Sequence, residues 1–190
     1  MRLILASESP RRAELLKAAG FEIEVIRGRI NEDRHEGEPA EDYVLRVAAA
    51  KADAVARERR DLPIVAPDTV VVFDGHIMGK PKDDAEATAM LRILAGRTHE
   101  VLTGVVVRFG DKRRSHIERT RVRMAPMSPA EIAWYVSTGE PRDKAGAYAV
   151  QGLASRFIES IEGSYSNVVG LPVAVVYRLL LELIGPESLR

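Results

Sequence analysis

Strand patterns and helix patterns alternate along this chain of 190 residues, and two hairpin patterns interrupt the alternation. Apolar runs and apolar–polar alternation predict strands at Leu3–Ala6, Phe21–Val25, Ile64–Phe73, His76–Met78, Val101–Phe109, Ser115–Met124 and Arg156–Ile161. Capping signals and apolar stripes predict helices from Ser9 to Gly20, over about Glu41–Arg59, from Asp83 to Gly96, from Ser128 to Gly139 and from Pro172 onward. This mixture of hairpins with alternating strands and helices is typical of an α/β or α+β sheet protein.

Composition removes several classes of function. The chain has no cysteine, which excludes a disulfide framework, a thiolate nucleophile and a cysteine-based metal site. Lys plus Arg number 28 and Asp plus Glu number 28, and a net charge of zero weakens the case for a nucleic-acid binder. The N-terminal apolar run is too short for a signal peptide, and no run approaches the length of a membrane span. We therefore expect a single cytoplasmic domain over residues 1–190, with neither a membrane nor a nucleic acid as partner.

Two hydroxyls and two arginines stand where the first predicted strand gives way to the first predicted helix. Ser7, Ser9, Arg11 and Arg12 supply hydrogen-bond donors suited to phosphate oxygens. The free N–H groups at a helix N-terminus and the helix dipole favour an anion at the same place. The segment predicts a phosphate-binding site, although a capped helix with solvated arginines would have the same sequence.

Lys51 lies on the apolar face of the second predicted helix, among valines and alanines at helical spacing. A lysine on such a face either extends its ammonium group to solvent or meets an anion. The sequence leaves both interpretations open.

Asp68 and Thr69 interrupt the apolar strand pattern of Ile64–Phe73. A carboxylate is expensive to bury unless it is paired, bound to a metal or protonated. Alternatively, Pro67 bends the strand and turns Asp68 outward. The rarity of unpaired buried charge favours a functional carboxylate.

Lys80 stands between Gly79 and Pro81, just after the short hairpin, where it could reach a charged ligand or lie in a plain surface turn. The chain thus offers four cationic side chains: Arg11, Arg12, Lys51 and Lys80. It also offers two carboxylates, Asp68 and, from the acidic loop 28–39, Glu32. Such a set fits a polyphosphate with Mg²⁺ or Mn²⁺, because cations hold phosphate oxygens while carboxylates hold the metal or polarise a water. We expect these side chains to gather around one pocket.

Several longer segments follow one another in a characteristic order: LILASESPRRAELL, an Asp-Thr followed by apolar residues and DG, GKP, LAGRTHEVLTGV, and DKAGAYxxQG…SYSNVVGLP. From Leu3 to about Leu180, the chain resembles the Maf family of nucleoside triphosphate pyrophosphatases. The resemblance implies hydrolysis between the α and β phosphates, a divalent metal, a cytoplasmic enzyme and a homodimer. It also implies a Maf/ITPase-like α/β fold, with an elongated mixed sheet flanked by helices, a hairpin extension and a substrate cleft between two lobes.

The same resemblance implies roles for individual residues. Asp68 matches the catalytic carboxylate, and Glu32 with Asp68 would hold the metal. The other polar site positions match Ser7, Ser9, Arg12, Lys51 and Lys80. The family branch that acts on dTTP and UTP is matched at three positions: Arg11, Thr69 and Gln151. At the same three positions, the branch that acts on 7-methylguanosine triphosphate tends to carry an aromatic residue, a Gln and a Glu. An amide such as Gln151 suits a pyrimidine because it both donates and accepts hydrogen bonds.

The chain departs from the family pattern at three places. Ala66-Pro67 stands where Gly-Ala usually precedes the Asp-Thr, and a proline lacks the backbone donor. Ala149-Val150 replaces the usual Gly-Ile before Gln151, and the extra methyl group would narrow the pocket or shift the loop. Asn31 stands where an acidic residue often precedes Glu32, which leaves one fewer charge for a metal.

Two other functions stay open from the sequence. A nucleotidyltransferase could use similar groups, but it would need an acceptor and would form a nucleotidylated product. A non-catalytic protein that binds a septum or cell-division partner would keep its role without the carboxylate of Asp68. If the protein is a pyrophosphatase, modified pyrimidine nucleotides suit the amide of Gln151 as well as dTTP and UTP do.

Overall fold

The computed structural model describes residues 1–189. Its strands are β1 (Arg2–Leu5), β2 (Glu22–Val25), β3 (Ile64–Phe73), β4 (His76–Met78), β5 (Thr98–Phe109), β6 (Lys112–Met124) and β7 (Ile158–Glu162). Its α-helices are α1 (Pro10–Ala18), α2 (Ala40–Ala56), α3 (Asp84–Leu94), α4 (Pro129–Ser137), α5 (Tyr165–Val169) and α6 (Val173–Ile184). Short 3₁₀ turns cover Ala145–Ala147, Leu153–Phe157 and Pro186–Leu189.

The strands follow the order β2-β1-β3-β5-β6-β7, and β4 pairs with β3. Strand β1 runs parallel to β2 and to β3, whereas β4 is antiparallel to β3 and β7 is antiparallel to β6. Helix crossovers join the parallel pairs, a hairpin joins β3 to β4, and a longer connection that contains α4 joins β6 to β7. The predicted α/β class, a mixed sheet with flanking helices, is therefore confirmed.

Three elements differ from the predicted ones. The last strand lies at Ile158–Glu162, not at Arg156–Ile161, because residues 153–157 form a 3₁₀ turn. Helix α5 has no counterpart among the predicted helices. Helix α2 ends at Ala56, three residues before the predicted end at Arg59.

The chain divides into two compact units. The first unit comprises Met1–Thr69, Thr103–Glu118 and the chain from Gly170 onward, and the second comprises Val70–Leu102 and Arg119–Val169. The single domain expected over residues 1–190 stays a prediction. Within residues 1–189, no helix combines the length and the apolar character that crossing a membrane needs.

The core of the first unit explains how α2 is held against the sheet. Leu3, Ile4 and Leu5 of β1 are fully buried, as expected for a parallel strand that is covered on both faces. Gly104 of β5 allows a close approach, because a Cβ atom there would lie 2.5 Å from the carbonyl oxygen of Val44. Helix α2 therefore carries its inward side chains, Lys51 among them, directly onto the sheet.

The second unit has a core of its own, and its helices α3 and α4 begin where the sequence predicts. Asp83 accepts a hydrogen bond from the backbone N–H of Glu86, 2.8 Å away. Ser128 and Glu131 form the complete reciprocal capping box at the start of α4. Tyr135, one turn further along α4, is fully buried.

Candidate active site

A buried ion pair lies at the centre of the candidate site. The ammonium nitrogen of Lys51 is 2.8 Å from Oδ1 of Asp68, and each residue is less than one-tenth exposed. Helix α2 carries Lys51 on its inward face, and β3 presents Asp68 from the sheet. The two alternatives for these residues are therefore wrong: Lys51 does not extend to solvent, and Pro67 does not turn Asp68 outward.

Burial dominates the electrostatics of Asp68. Loss of solvent raises the pKa of its carboxyl group above the usual value, while the positive charges of Lys51 and Arg12 act in the opposite direction. The carboxylate is thus held between a low-dielectric environment and two cations. A carboxylate in such a place binds a proton more readily than one in water.

Glu32 joins the pair from the acidic loop that precedes α2. Its Oε2 atom lies 3.1 Å from the ammonium nitrogen of Lys51, although half of its side chain is exposed. The hydroxyl group of Tyr43 donates to the backbone carbonyl of Glu32 across 3.0 Å and so ties the loop to α2. At the beginning of the loop, a Cβ atom on Gly28 would lie 2.7 Å from the carbonyl oxygen of Lys51, so the close packing there needs glycine.

Arg12 is not a free cation that awaits a phosphate. Its guanidinium group donates to the carbonyl oxygens of Gly170, at 2.8 Å, and Pro67, at 3.2 Å. It also donates to the hydroxyl oxygens of Ser7, at 2.8 Å, and Thr69, at 3.0 Å. Burial lowers the pKa of Arg12 from its usual value, and the charge of Asp68 opposes that shift. The side chain therefore joins the end of β1, the middle of β3 and the start of the C-terminal segment.

Thr69 and Ser7 are drawn into the same network. The Thr69 hydroxyl lies 2.9 Å from the hydroxyl of Thr103 on β5 and 3.2 Å from the carbonyl oxygen of Gly170. Ser7 accepts from Arg12, and it accepts a longer bond, 3.4 Å, from the backbone N–H of Ser9. Thr103 was not singled out in the sequence, because a threonine within a strand pattern carries no local signal.

The start of α1 differs from the prediction in one detail. Ser9 occupies the N-cap position and Pro10 the first turn, but the Ser9 side chain makes no capping hydrogen bond. Arg11 follows Pro10 at the start of the helix and is partly buried. Burial is the main cause of the lowered pKa of Arg12, and the positive charge of Arg11 lowers it further. The two guanidinium groups are therefore close enough to interact electrostatically.

Pro67 fits the strand without costing a hydrogen bond to β1. The register between β1 and β3 runs through Ile64 and Val65 only, so the missing N–H falls beyond that pairing. The carbonyl oxygen of Pro67 accepts from Arg12. The proline is thus part of the site's framework.

Lys80 and Gln151 belong to the second unit. The ammonium group of Lys80 lies 2.9 Å from Oδ1 of Asp143, and both side chains are mostly exposed. Gln151 is exposed on a turn in which the backbone N–H of Gly152 donates to the carbonyl oxygen of Ala149. The structure thus brings together Ser7, Arg12, Glu32, Lys51, Asp68 and Thr69 within the first unit, and the convergence of Lys80 and Gln151 with them stays a prediction.

The carboxylates of the first unit suit a small cation that also contacts substrate. Within residues 1–189, no group of three His, Asp or Glu side chains meets in a way that could hold a metal ion by itself. Glu32 and Asp68, however, both contact one cationic atom, the ammonium nitrogen of Lys51. Mg²⁺ is commonly bound through one or two carboxylates together with substrate phosphates, so a pair suffices.

Cations around a buried carboxylate, on a mixed α/β sheet, are typical of proteins that bind phosphorylated ligands. Residues 2–183 match the family model described as Maf-like protein, and the chain belongs to that family. A protein of Anaeromyxobacter sp. (strain Fw109-5) named dTTP/UTP pyrophosphatase is 53% identical over 184 residues, which cover 94% of this chain and 88% of that protein. A protein of the same name from Methylobacillus flagellatus is 51% identical over 181 residues, which cover 94% of this chain and 91% of that protein.

A solved structure supports the fold. The structure of a HAM1 protein from Coxiella burnetii superposes with a TM-score of 0.52 at 14% identity, and the match covers 96% of this chain and 99% of that one. At this identity, the likeness concerns the fold alone. It agrees with the mixed sheet and flanking helices of this chain.

Proposed function

We propose that this protein hydrolyses nucleoside triphosphates between the α and β phosphates, with dTTP and UTP as substrates, and releases a monophosphate and pyrophosphate. The observation that carries the proposal is the buried contact between Asp68 and Lys51, with Glu32 on the same ammonium group. Relatives that are about half identical over most of their length and are named dTTP/UTP pyrophosphatase support the choice of substrate.

Asp68 acts on the attacking water. Its carboxylate orients the water and accepts its proton as the oxygen approaches the α-phosphorus. Burial, which raises the pKa of Asp68, makes the carboxylate a stronger base for this step. A divalent metal held by Glu32, Asp68 and substrate oxygens would supply a Lewis acid that neutralises the triphosphate charge.

The cationic side chains stabilise charge that develops on the bridging and pyrophosphate oxygens. Lys51 stabilises this charge beside Asp68. Arg11 acts from the start of α1, and Lys80 acts from the second unit. Arg12 acts mainly by fixing Ser7 and Thr69, since most of its donors are already used within the protein. The amide of Gln151 pairs with the pyrimidine edge, where O4 accepts and N3–H donates.

The location, the oligomeric state and the partner of the enzyme follow from the resemblance and from the charge of the chain. The resemblance to the family supports a cytoplasmic homodimer. The balanced charge of the chain supports a small nucleotide, and not a nucleic acid, as the partner.

The test is pyrophosphate release from a panel of nucleoside triphosphates in the presence of Mg²⁺ or Mn²⁺. Wild-type protein should favour dTTP and UTP, and Asp68→Asn should lower turnover about 100- to 1,000-fold, the usual cost of a lost preorganised group. The matched control is Asp53→Asn, which removes a carboxylate of α2 that pairs with Arg108 outside the site. Wild-type turnover in Asp68→Asn would overturn the role of Asp68, and a nucleotidylated product would instead identify a transferase.

A further inference from the structure

Glu140, just beyond the end of α4, binds the backbone that follows Gln151. Its Oε2 atom accepts from the backbone N–H of Leu153 at 2.8 Å, and its Oε1 atom accepts from that of Ala154 at 3.1 Å. A carboxylate that receives two adjacent backbone N–H groups is a strong acceptor, because its charge assists both hydrogen bonds. Glu140 therefore fixes the loop on the C-terminal side of Gln151.

Tyr135 fixes the same loop on the N-terminal side. Its hydroxyl oxygen accepts from the backbone N–H of Ala149 at 3.2 Å, and its O–H donates to Oε1 of Glu140 at 2.8 Å. Tyr135 is fully buried in the core of the second unit, so this anchor is rigid. Burial, followed by the hydrogen bond with Glu140, raises the pKa of Tyr135, which keeps the donor proton in place.

Gly152 allows the carboxylate to lie against the loop. A Cβ atom at this position would be 2.3 Å from Oε2 of Glu140, far inside contact distance. A larger residue at this position would therefore displace the carboxylate from the backbone N–H groups that it accepts from. Between the two anchors, Gln151 is the exposed residue whose side chain is left to contact a ligand.

We propose that Glu140 and Tyr135 are positioning residues for base selection: together they hold the backbone on both sides of Gln151, so that its amide stands at the distance at which a pyrimidine edge reaches it. The inference rests on the proposed function, since it assigns Gln151 to the base. The hydrogen-bonding edge of a purine lies further from the sugar than that of a pyrimidine, so an amide held at one distance favours the pyrimidine. A loop that moves would let the amide retreat to meet a purine.

The experiment compares kcat and KM for UTP and GTP in Glu140→Gln and Tyr135→Phe. Glu140→Gln places an N–H₂ group against backbone donors, and Tyr135→Phe removes a single hydroxyl and is the gentler change. We expect the UTP-to-GTP ratio of kcat/KM to fall about tenfold in each, through a higher KM for UTP, with kcat changed less than about twofold. The matched control is Glu131→Gln, which alters a carboxylate of α4 that accepts from the backbone N–H and the hydroxyl group of Ser128.

Two further measurements separate base selection from simple loop stability. In a Gln151→Ala background, Glu140→Gln should leave the UTP-to-GTP ratio unchanged, because the side chain that it positions is absent. Amide hydrogen exchange at Leu153 and Ala154 should accelerate in Glu140→Gln, independently of any activity.

The outcomes distinguish this inference from the proposed function. Faster exchange in Glu140→Gln with an unaltered UTP-to-GTP ratio would overturn the inference alone. An equal fall of the ratio with and without Gln151 would also overturn it. A wild-type protein that hydrolyses neither UTP nor dTTP would overturn the proposed function and the inference with it.

Discussion

The contact between Lys51 and Asp68 gives the most quantitative prediction. Lys51→Met removes the ammonium group and leaves Asp68 buried with Arg12 as its remaining cationic neighbour. Breaking one side of a buried pair costs about 3–5 kcal/mol, because the other charge stays desolvated. We therefore expect Lys51→Met to lower the free energy of unfolding by about this amount at pH 7.

The structure also sets the size of the coupling between the two side chains. Two unit charges 2.8 Å apart, as in Lys51 and Asp68, attract by about 6 kcal/mol at an effective dielectric constant of about 20. The desolvation cost of each charge cancels in a double-mutant cycle, whereas Arg12 and protonation of Asp68 relieve part of the loss when Lys51 is absent, so we expect a coupling of at least about 2 kcal/mol. Asp68→Asn in the Lys51→Met background should accordingly restore part of the lost stability.

The assay is a double-mutant cycle by urea unfolding, with Lys51→Met, Asp68→Asn and the double variant. Lys80 and Asp143 provide a matched control pair, since their 2.9 Å contact is nearly as short but both side chains are mostly exposed. The same cycle on this pair should give less than about 0.5 kcal/mol. Equal couplings for the buried and the exposed pair would refute the reasoning.

Three other perturbations have defined outcomes. Lys51→Met should bind Mn²⁺ more tightly than wild type in titration calorimetry, because no ammonium group competes for Glu32 and Asp68; unchanged affinity would contradict the shared site. Burial lowers the pKa of His99 to about 4 in the folded protein, below its unfolded value of 6.5, so the unfolded state binds more protons between these values. Stability should therefore fall by about 3 kcal/mol as the pH drops from 6.5 to 4, and His99→Gln should remove most of this fall in urea unfolding; a fall of the same size in the variant would assign it to other groups. Gly28→Ala should reduce both stability and turnover, because the new methyl group meets the carbonyl of Lys51 and displaces the loop that carries Glu32; wild-type values of both would show that the loop adapts.

The sequence predicted most of the elements and singled out both residues of the central pair for a physical reason. Lys51 and Asp68 each stand against an apolar pattern, and a buried charge needs a partner, whereas a charge that reaches solvent needs none, so the sequence left both outcomes open. Lys51 on α2 and Asp68 on β3 lie on consecutive elements, and α2 is the crossover that leads into β3. Local patterns were therefore sufficient to single out both residues, and the structure supplied their burial, their pairing and the distance.

Other parts of the site depend on contacts that no local pattern encodes. Arg12 donates to the carbonyl of Gly170, which is 158 positions away, so its framework role could not be read from the segment that contains it. Glu140 follows a helix end, where a carboxylate is ordinarily solvated, and only the fold brings it to the backbone after Gln151. Gly28 and Gly152 looked like loop glycines, whereas each admits a close approach of a neighbouring group.

The most direct test of the proposed chemistry is the fate of solvent oxygen when wild-type protein and Mg²⁺ act on dTTP in ¹⁸O-labelled water. Mass spectrometry should find one ¹⁸O atom in the monophosphate and none in the pyrophosphate, since water attacks the α-phosphorus. Label in the pyrophosphate, or products consisting of a diphosphate and orthophosphate, would contradict the account.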